Sequence, residues 1–290
     1  MAARCTFCPV PLPRLPCKYA GARPMLSSRQ PSPVCASQTV RLCSKAVSAE
    51  WYASQLGAIA AGEQARAVSE NCARGLEEVI TQCFPLYDGH RGLVSSNAFM
   101  GCLFLCGPGW TGKVGLAAAR RLAARGVAVA VVAMGAETSE ECGVDVLDFF
   151  PRTFAQYYDV VVDCVLGAEA GCSSQATSGV EMQIERCLAE TRRSFSLVTV
   201  DYAHWWQSNQ GRERQGTVED EQGSLQPDVL ISQGLPVREA SEKFRGSFHF
   251  ITAPHLQELL RKSGAGIDHT ELPSFPRDQN AVVLSSRLAL

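Results

Sequence analysis

Three short stretches of this 290-residue chain hold residue types that do chemistry. The first is "CGPGWTGKVG", Cys106 to Gly115. Glycines clustered between a strand and a helix bring backbone N–H groups close to a phosphate. The helix start supplies unpaired donors, and no Cβ stands in the way. The second is "VVDCVLG", 161–167, with Asp163 near the end of an apolar run. The third is "TVDYAHWW", 199–206, with Asp201 at the end of its own apolar run. A strand-end carboxylate can move a proton, hold a cation or accept from its own turn. For Asp201 the residues leave acid/base work and capping open; for Asp163 they leave cation ligation and hydrogen bonding open. Gly107 to Gly112 satisfies G-x-G-x-x-G, yet the segment is not a P-loop, because Val114 follows Lys113 where Ser or Thr would hold magnesium.

Other candidates carry less. The five histidines show no metal spacing, and His249 in "SFHFIT" reads as a sheet residue. Trp205 and Trp206 could cover a ligand ring or simply pack. Thirteen cysteines are scattered, mostly inside apolar runs, and the one C-x-x-C, Cys5 to Cys8, has no second pair beside it. That pattern suits reduced, core-filling thiols rather than a zinc site or a secreted disulfide scaffold.

The elements that must position these groups alternate. Residues 50–83 read as helix, rich in Ala, Glu and Gln with apolar residues at three- and four-residue steps. Strands are expected at 102–106, 127–134, 158–167, 195–201, 227–232 and 247–252. Helices are expected at 112–126, 138–150 (stopped by Pro151), 179–193 and 254–264. Continuous Val/Ile/Leu strands separated by helices predict an α/β fold, with a parallel sheet covered on both faces. In such a sheet, ligands sit outside the carboxyl ends of the strands, where all three stretches fall. The polar text between Gln207 and Gln226 reads as a long surface loop.

Hydrophobic residues make up 46% of the chain and charged ones 19%, so a packed core is expected. The net charge of −2 gives no argument for nucleic acid, and no apolar run is long enough for a membrane helix. Residues 1–48 differ from the rest: basic, rich in Pro and Ser, and without Asp or Glu. That composition predicts a transit peptide for a mitochondrion or plastid, the alternative being a disordered leader on a cytoplasmic protein. The domain proper is then 49–290.

Taken together, the stretches resemble the YjeF N-terminal domain family, the NAD(P)H-hydrate epimerases. The family's "CGPGNNGGDG" is matched by "CGPGWTGKVG" (106–115), its "LVAARHL" by "LAAARRL" (116–122) and its "VVDAIFG" by "VVDCVLG" (161–167). Its "SVDIPSGW" is matched by "TVDYAHWW" (199–206) and its "PDLLISLTAPK" by "PDVLISQGLPV" (227–237). "FRGSFHFITAP" (244–254) and "LPSFPRDQNAVVLSS" (272–286) match its later blocks. The similarity runs in order over about residues 55–286.

The resemblance implies a Rossmann-like three-layer α/β sandwich with a mostly parallel central sheet, preceded by an N-terminal helix. It implies an isomerase that interconverts the R and S hydrates of NADH and NADPH, NADHX and NADPHX, in nicotinamide nucleotide repair. A dehydratase would then restore the cofactor, and the enzyme would be a homodimer. By position, the substrate loop falls on Trp110, Thr111, Gly112, Lys113 and Val114. A second substrate loop falls on Gly167, Ala168, Glu169, Ala170, Gly171, Cys172 and Ser173. Asp201 is the catalytic and substrate-binding carboxylate. One potassium ion would be held by Thr111, Asp163 and His204.

The chain departs from the motif at Asn-Asn-Gly-Gly-Asp, here Trp110 to Val114, and at the turn after Asp201. Lys113 could replace the ion or bind phosphate directly. A catalytically silent YjeF-type binding or scaffold domain is therefore the alternative function. An ordinary Rossmann oxidoreductase with Glu137 on the ribose is a third reading, which Pro108 and the downstream blocks fit less well.

Overall fold

The strands form where the sequence is apolar and β-branched for five residues at a time: CLFLC, VAVVA, VVVDC, SLVTV, VLISQ and FHFIT. Such residues suit a pleated surface buried on both faces. In this computed structural model the described residues are 46–84, 101–135, 143–167, 179–203, 205–208, 225–263 and 274–286. In chain order the elements are α1 (Ala49–Ala60), α2 (Ala65–Cys83), β1 (Cys102–Cys106), α3 (Trp110–Ala124), β2 (Val129–Ala133), β3 (Asp145–Leu147) and β4 (Val160–Cys164). They continue with α4 (Gly179–Glu190), β5 (Ser196–Val200), α5 (Trp205–Ser208), β6 (Val229–Gln233), α6 (Arg238–Lys243), β7 (Phe248–Thr252), α7 (Pro254–Lys262) and β8 (Ala281–Ser286).

The sheet has eight strands in the order β3-β2-β1-β4-β5-β6-β7-β8, parallel except for the last pair. The order reverses between β1 and β4. Right-handed crossovers then place α3 on one face and α4 and α6 on the other, which makes three layers. Helices α1, α2, α3 and α7 pack against one another on the first face. At the α2–α3 contact, Glu77 is buried and clasped by Arg121 Nε at 2.5 Å and Arg125 at 2.9 Å. None of the described helices is long and apolar enough to cross a membrane.

The structure corrects three expectations. The helix expected over 138–150 is not formed in its described part, where Asp145–Leu147 adds strand β3 to the free edge of β2. Val144 and Val146 favour a strand, and the β2 edge supplies ladder partners that a short helix would forgo. The single helix expected over 50–83 is two, α1 and α2, divided by an exposed turn at Ala61–Gln64 that includes Gly62. Strand β8 was not expected; its polar surroundings hide it, and it forms by pairing antiparallel with β7.

Chain before α1 also takes part. Val47 makes a parallel bridge to Val237, donating to the Pro236 carbonyl at 3.1 Å and accepting from the Arg238 N–H at 2.8 Å. Ser48 caps α1 by accepting from the Trp51 N–H at 3.3 Å, and Glu239 accepts from the Ala49 N–H at 3.0 Å. This fixes the start of α1 beside the end of β6.

Candidate functional site

The carboxyl ends of β1, β4, β5 and β6 lie side by side, because Cys106 and Cys164 are register partners and Asp163 pairs with Thr199. From these ends come the glycine turn, the Asp163–Gly167 segment, Asp201 and Gln233. The reversal of strand order between β1 and β4 makes this the crevice where an open α/β sheet takes its ligand.

The glycine turn is set by backbone contacts. A Cβ on Gly107 would stand 1.8 Å from the Val165 carbonyl oxygen. One on Gly112 would stand 1.8 Å from the Gly107 oxygen, and one on Gly167 would stand 1.9 Å from Thr111 Oγ1. These distances leave room for hydrogen only, so the three segments interlock whatever side chains lie between the glycines. Helix α3 begins at Trp110 with Gly109 as its N-cap, and no side chain fills the cap. Trp110, Thr111, Gly112 and Val114 are buried, while Lys113 is exposed. The Trp110 indole N–H is buried with no hydrogen-bond partner among the described residues. Gly115 rests on two thiols: its Cβ position lies 2.8 Å from Cys164 Sγ and 3.1 Å from Cys106 Sγ. Burial pushes both thiols well above their ordinary range, so they stay protonated.

Asp163 is buried at the end of β4, and its Oδ1 accepts from the Val165 N–H at 3.2 Å. Thr111 Oγ1 lies against Gly167. These are the two described members of the expected potassium set; His204 lies outside the described residues. Their three side-chain oxygens, one already accepting a hydrogen bond, are fewer than the roughly six oxygens that a hard cation takes. Among the described residues no group of three or more His, Cys, Asp or Glu is placed to hold a metal.

Asp201 follows β5 and has φ 57°, the left-handed region that a non-glycine residue seldom occupies. Its backbone N–H bonds the Ile231 carbonyl at 2.7 Å, which fixes the turn. The side chain is 0% exposed. Its Oδ1 accepts from the Gln233 backbone N–H at 2.8 Å and its Oδ2 from the Gln233 side-chain amide at 2.8 Å. The Tyr52 hydroxyl of α1 donates to the Gln233 backbone carbonyl beside it. Burial raises the Asp201 carboxyl to about 7, against the Gln233 donors that pull it down. Burial also pushes the Tyr52 hydroxyl and the Cys72 thiol up, with Asp201 adding to both.

Around this shell, Trp205 and Trp206 are buried rather than open to a ligand, and Tyr202 meets Trp206 edge to face at 5.3 Å. Lys243 of α6 reaches the Tyr202 hydroxyl at 3.0 Å and the Trp206 carbonyl at 3.1 Å, pinning the turn that follows Asp201. His249 is fully buried on β7 and bonds Ser232 of β6 at 2.8 Å; burial lowers it to about 3, so it is neutral.

The structure thus gathers Trp110, Thr111, Gly112, Val114, Asp163, Gly167 and Asp201 at one edge of the sheet, with Lys113 turned to solvent. Ala168, Glu169, Ala170, Gly171, Cys172, Ser173, His204 and Glu137 lie outside the described residues. Sequence reasoning missed Tyr52, Cys72 and Gln233. Gln233 had a signal, since it ends the apolar run of β6 as Asp201 ends that of β5. Tyr52 and Cys72 had none, because they come from helices whose packing is set only in three dimensions.

The family model for the YjeF-related protein N-terminus matches residues 65–238. Among curated proteins, the human YjeF N-terminal domain-containing protein 3 is 26% identical over 210 residues, which are 68% of this chain. The match spans 64% of that relative's length. The crystal structure of the yeast protein ynu0 is similar over 83% of this chain and 100% of its own, with a TM-score of 0.62 and 20% identity. That likeness extends to the fold.

Proposed function

Since this chain belongs to the family of YjeF-related protein N-termini, we propose that it epimerises the R and S hydrates of NADH and NADPH, with Asp201 as acid and base. The observation that supports this reading best is Asp201 itself. It stands where the motif has its carboxylate, at the ligand edge of the sheet, held in a strained backbone conformation at about 7. An acid/base group works best when its pKa lies near the ambient pH. The hydrate carries a hydroxyl on C6 of the nicotinamide ring. Ring nitrogen pushes this group out as Asp201 gives its proton to the leaving oxygen, which departs as water. Water then adds to the other face of C6 and returns a proton to Asp201, so nothing is consumed. A dehydratase acting on one hydrate would draw the pair back to the cofactor.

One observation favours a second reading, that of a silent binding or scaffold domain. Trp110 and Val114 are apolar and buried where the motif carries amide and carboxylate, and no atom of Asp201 reaches solvent. The full chain incubated with R-NADHX separates the two. Epimerisation predicts formation of the S hydrate, slowed about 10²–10⁴-fold in Asp201→Asn. No S hydrate from a folded chain that still binds NADH would overturn the epimerase reading and leave the scaffold.

A further inference from the structure

We infer that Gln233 is a positioning residue for Asp201, gripping both oxygens of the carboxylate and holding it as a base. The grip begins in the ladder. Between β5 and β6 the Asp201 N–H bonds the Ile231 carbonyl at 2.7 Å. In a parallel ladder that continued, the Gln233 N–H would bond the Asp201 main-chain carbonyl next. At φ 57° the chain leaves the strand, and the carboxylate takes that carbonyl's place, with the Gln233 N–H donating to Oδ1 at 2.8 Å. The Gln233 side-chain amide then donates to Oδ2 at 2.8 Å. Its own Oε1 is buried with no hydrogen-bond partner among the described residues. An amide kept for packing alone would have both ends satisfied. This one gives its donor to Asp201 and leaves its acceptor bare. The main-chain donor comes with any residue but proline at 233. The side-chain donor is particular to this chain, since the motif it resembles has Leu at that place, "LISL" against "LISQ".

The chemistry of the pair follows from its donors. Both oxygens receive an N–H. An ionised carboxylate has lone pairs for both, while a neutral acid spends one oxygen on its own proton. Hydrogen bonds to a charged acceptor are also the stronger ones. No lysine, arginine or histidine of the described residues acts on the carboxyl, so offsetting the cost of a charge in that dry interior falls chiefly to Gln233. The titratable groups that feel the Asp201 charge are Tyr52 of α1, Cys72 of α2 and Cys164 of β4, and burial keeps all three protonated. Burial raises the carboxyl, the two Gln233 donors lower it, and the balance at about 7 lets it take and give a proton near neutral pH. The grip also fixes the plane of the carboxyl, so the proton leaves and returns along one direction. The inference rests on the epimerase reading for its reaction; the grip itself does not.

The test uses the full chain with carbon-13 at the aspartate carboxyls, the Asp201 signal being the one that Asp201→Asn removes. In wild type this signal should titrate with a midpoint near 7 and be that of an ionised carboxylate at pH 9. Gln233→Leu removes the side-chain donor and keeps the main-chain one, so the midpoint should move up. The kcat for conversion of R-NADHX should fall about 10- to 100-fold, with KM within about twofold. Gln233→Met, unbranched and of similar length, should do the same, and it serves if Leu at that place prevents folding, which circular dichroism checks. An unmoved midpoint in a folded variant overturns the grip, and so does a wild-type carboxyl still protonated at pH 9. A moved midpoint with kcat unchanged overturns the positioning role. No S hydrate from wild type, with the midpoint still moved by the variants, removes the reaction and leaves Gln233 holding the carboxylate.

Discussion

The glycine turn and the Asp201 shell sit at neighbouring strand ends, and they differ in what has been kept. In the turn, the side chains of the family's motif are replaced and one of its glycines has become Lys113, while Gly107, Gly112 and Gly167 remain, because any Cβ added to them would meet backbone or side-chain atoms at less than 2 Å. In the shell, the acid remains while its donors are supplied by Gln233, whose own carbonyl accepts from Tyr52 of a distant helix. Shape at the turn is a property of the main chain and tolerates Trp110 and Val114. Chemistry in the shell is a property of individual protons and depends on who donates to whom.

The largest effect expected from this contrast is Gly107→Ala. Its Cβ meets a carbonyl that cannot yield, and a loss of about 5 kcal/mol is expected in thermal or denaturant unfolding. Gly126→Ala is the control. It has φ 83° but open space around it, so only the backbone term of about 1 kcal/mol is expected. Equal losses in the two would show that the interlock contributes nothing.

The second effect is on stability against pH. The Asp201 carboxyl is near 7 folded and 3.8 in its ordinary state, so the folded protein holds the proton more tightly. That contribution is complete below 3.8 and is lost as pH rises to about 7, on the order of 4 kcal/mol at most. His249 acts in the opposite sense, lowered from 6.5 to about 3, so its contribution is present above 6.5 and fades as pH falls. Over the range between 3.8 and 6.5 the two slopes oppose one another. Asp201→Asn removes one of them. Its stability should climb with pH up to 6.5 and then level, whereas wild type stays flatter and then declines towards 7. Parallel curves from denaturant titrations at a series of pH values would show that Asp201 ionises in the fold as it does in water.

A smaller effect belongs to Tyr52→Phe, which takes the hydroxyl donor from the Gln233 carbonyl but leaves the Leu235 N–H on it at 2.8 Å. A cost of about 1 kcal/mol is expected in denaturant unfolding at pH 7. The smallest belongs to the turn's one exposed side chain. Lys113→Ala should change stability by less than about 0.5 kcal/mol. Titrating the same variant with NADH tests whether Lys113 meets phosphate: weaker binding places it on the ligand, and unchanged binding leaves the backbone donors of α3 alone in that role.

Much of this was legible in the linear text. Five-residue apolar runs named six of the eight strands, and the placement of glycines and carboxylates at their ends located the site. Two strands escaped, β3 and β8, each at an edge of the sheet. An edge strand buries less and draws its stability from a neighbour's free ladder, so its own residues need not look apolar. The division of the first helix was also missed, since a turn of four polar and small residues leaves the helical period on either side intact.

What the sequence determined by itself was the sheet, its parallel sense and the strand ends where chemistry would lie, because burial on both faces and the glycine turn are local demands written in residue type and spacing. What only the tertiary structure decided was the state of Asp201. Tyr52 is 149 positions away from it and Gln233 is 32, as their numbers show. A carboxyl's charge depends on which donors, acceptors and water lie within about 3 Å, and no pattern along the chain encodes that.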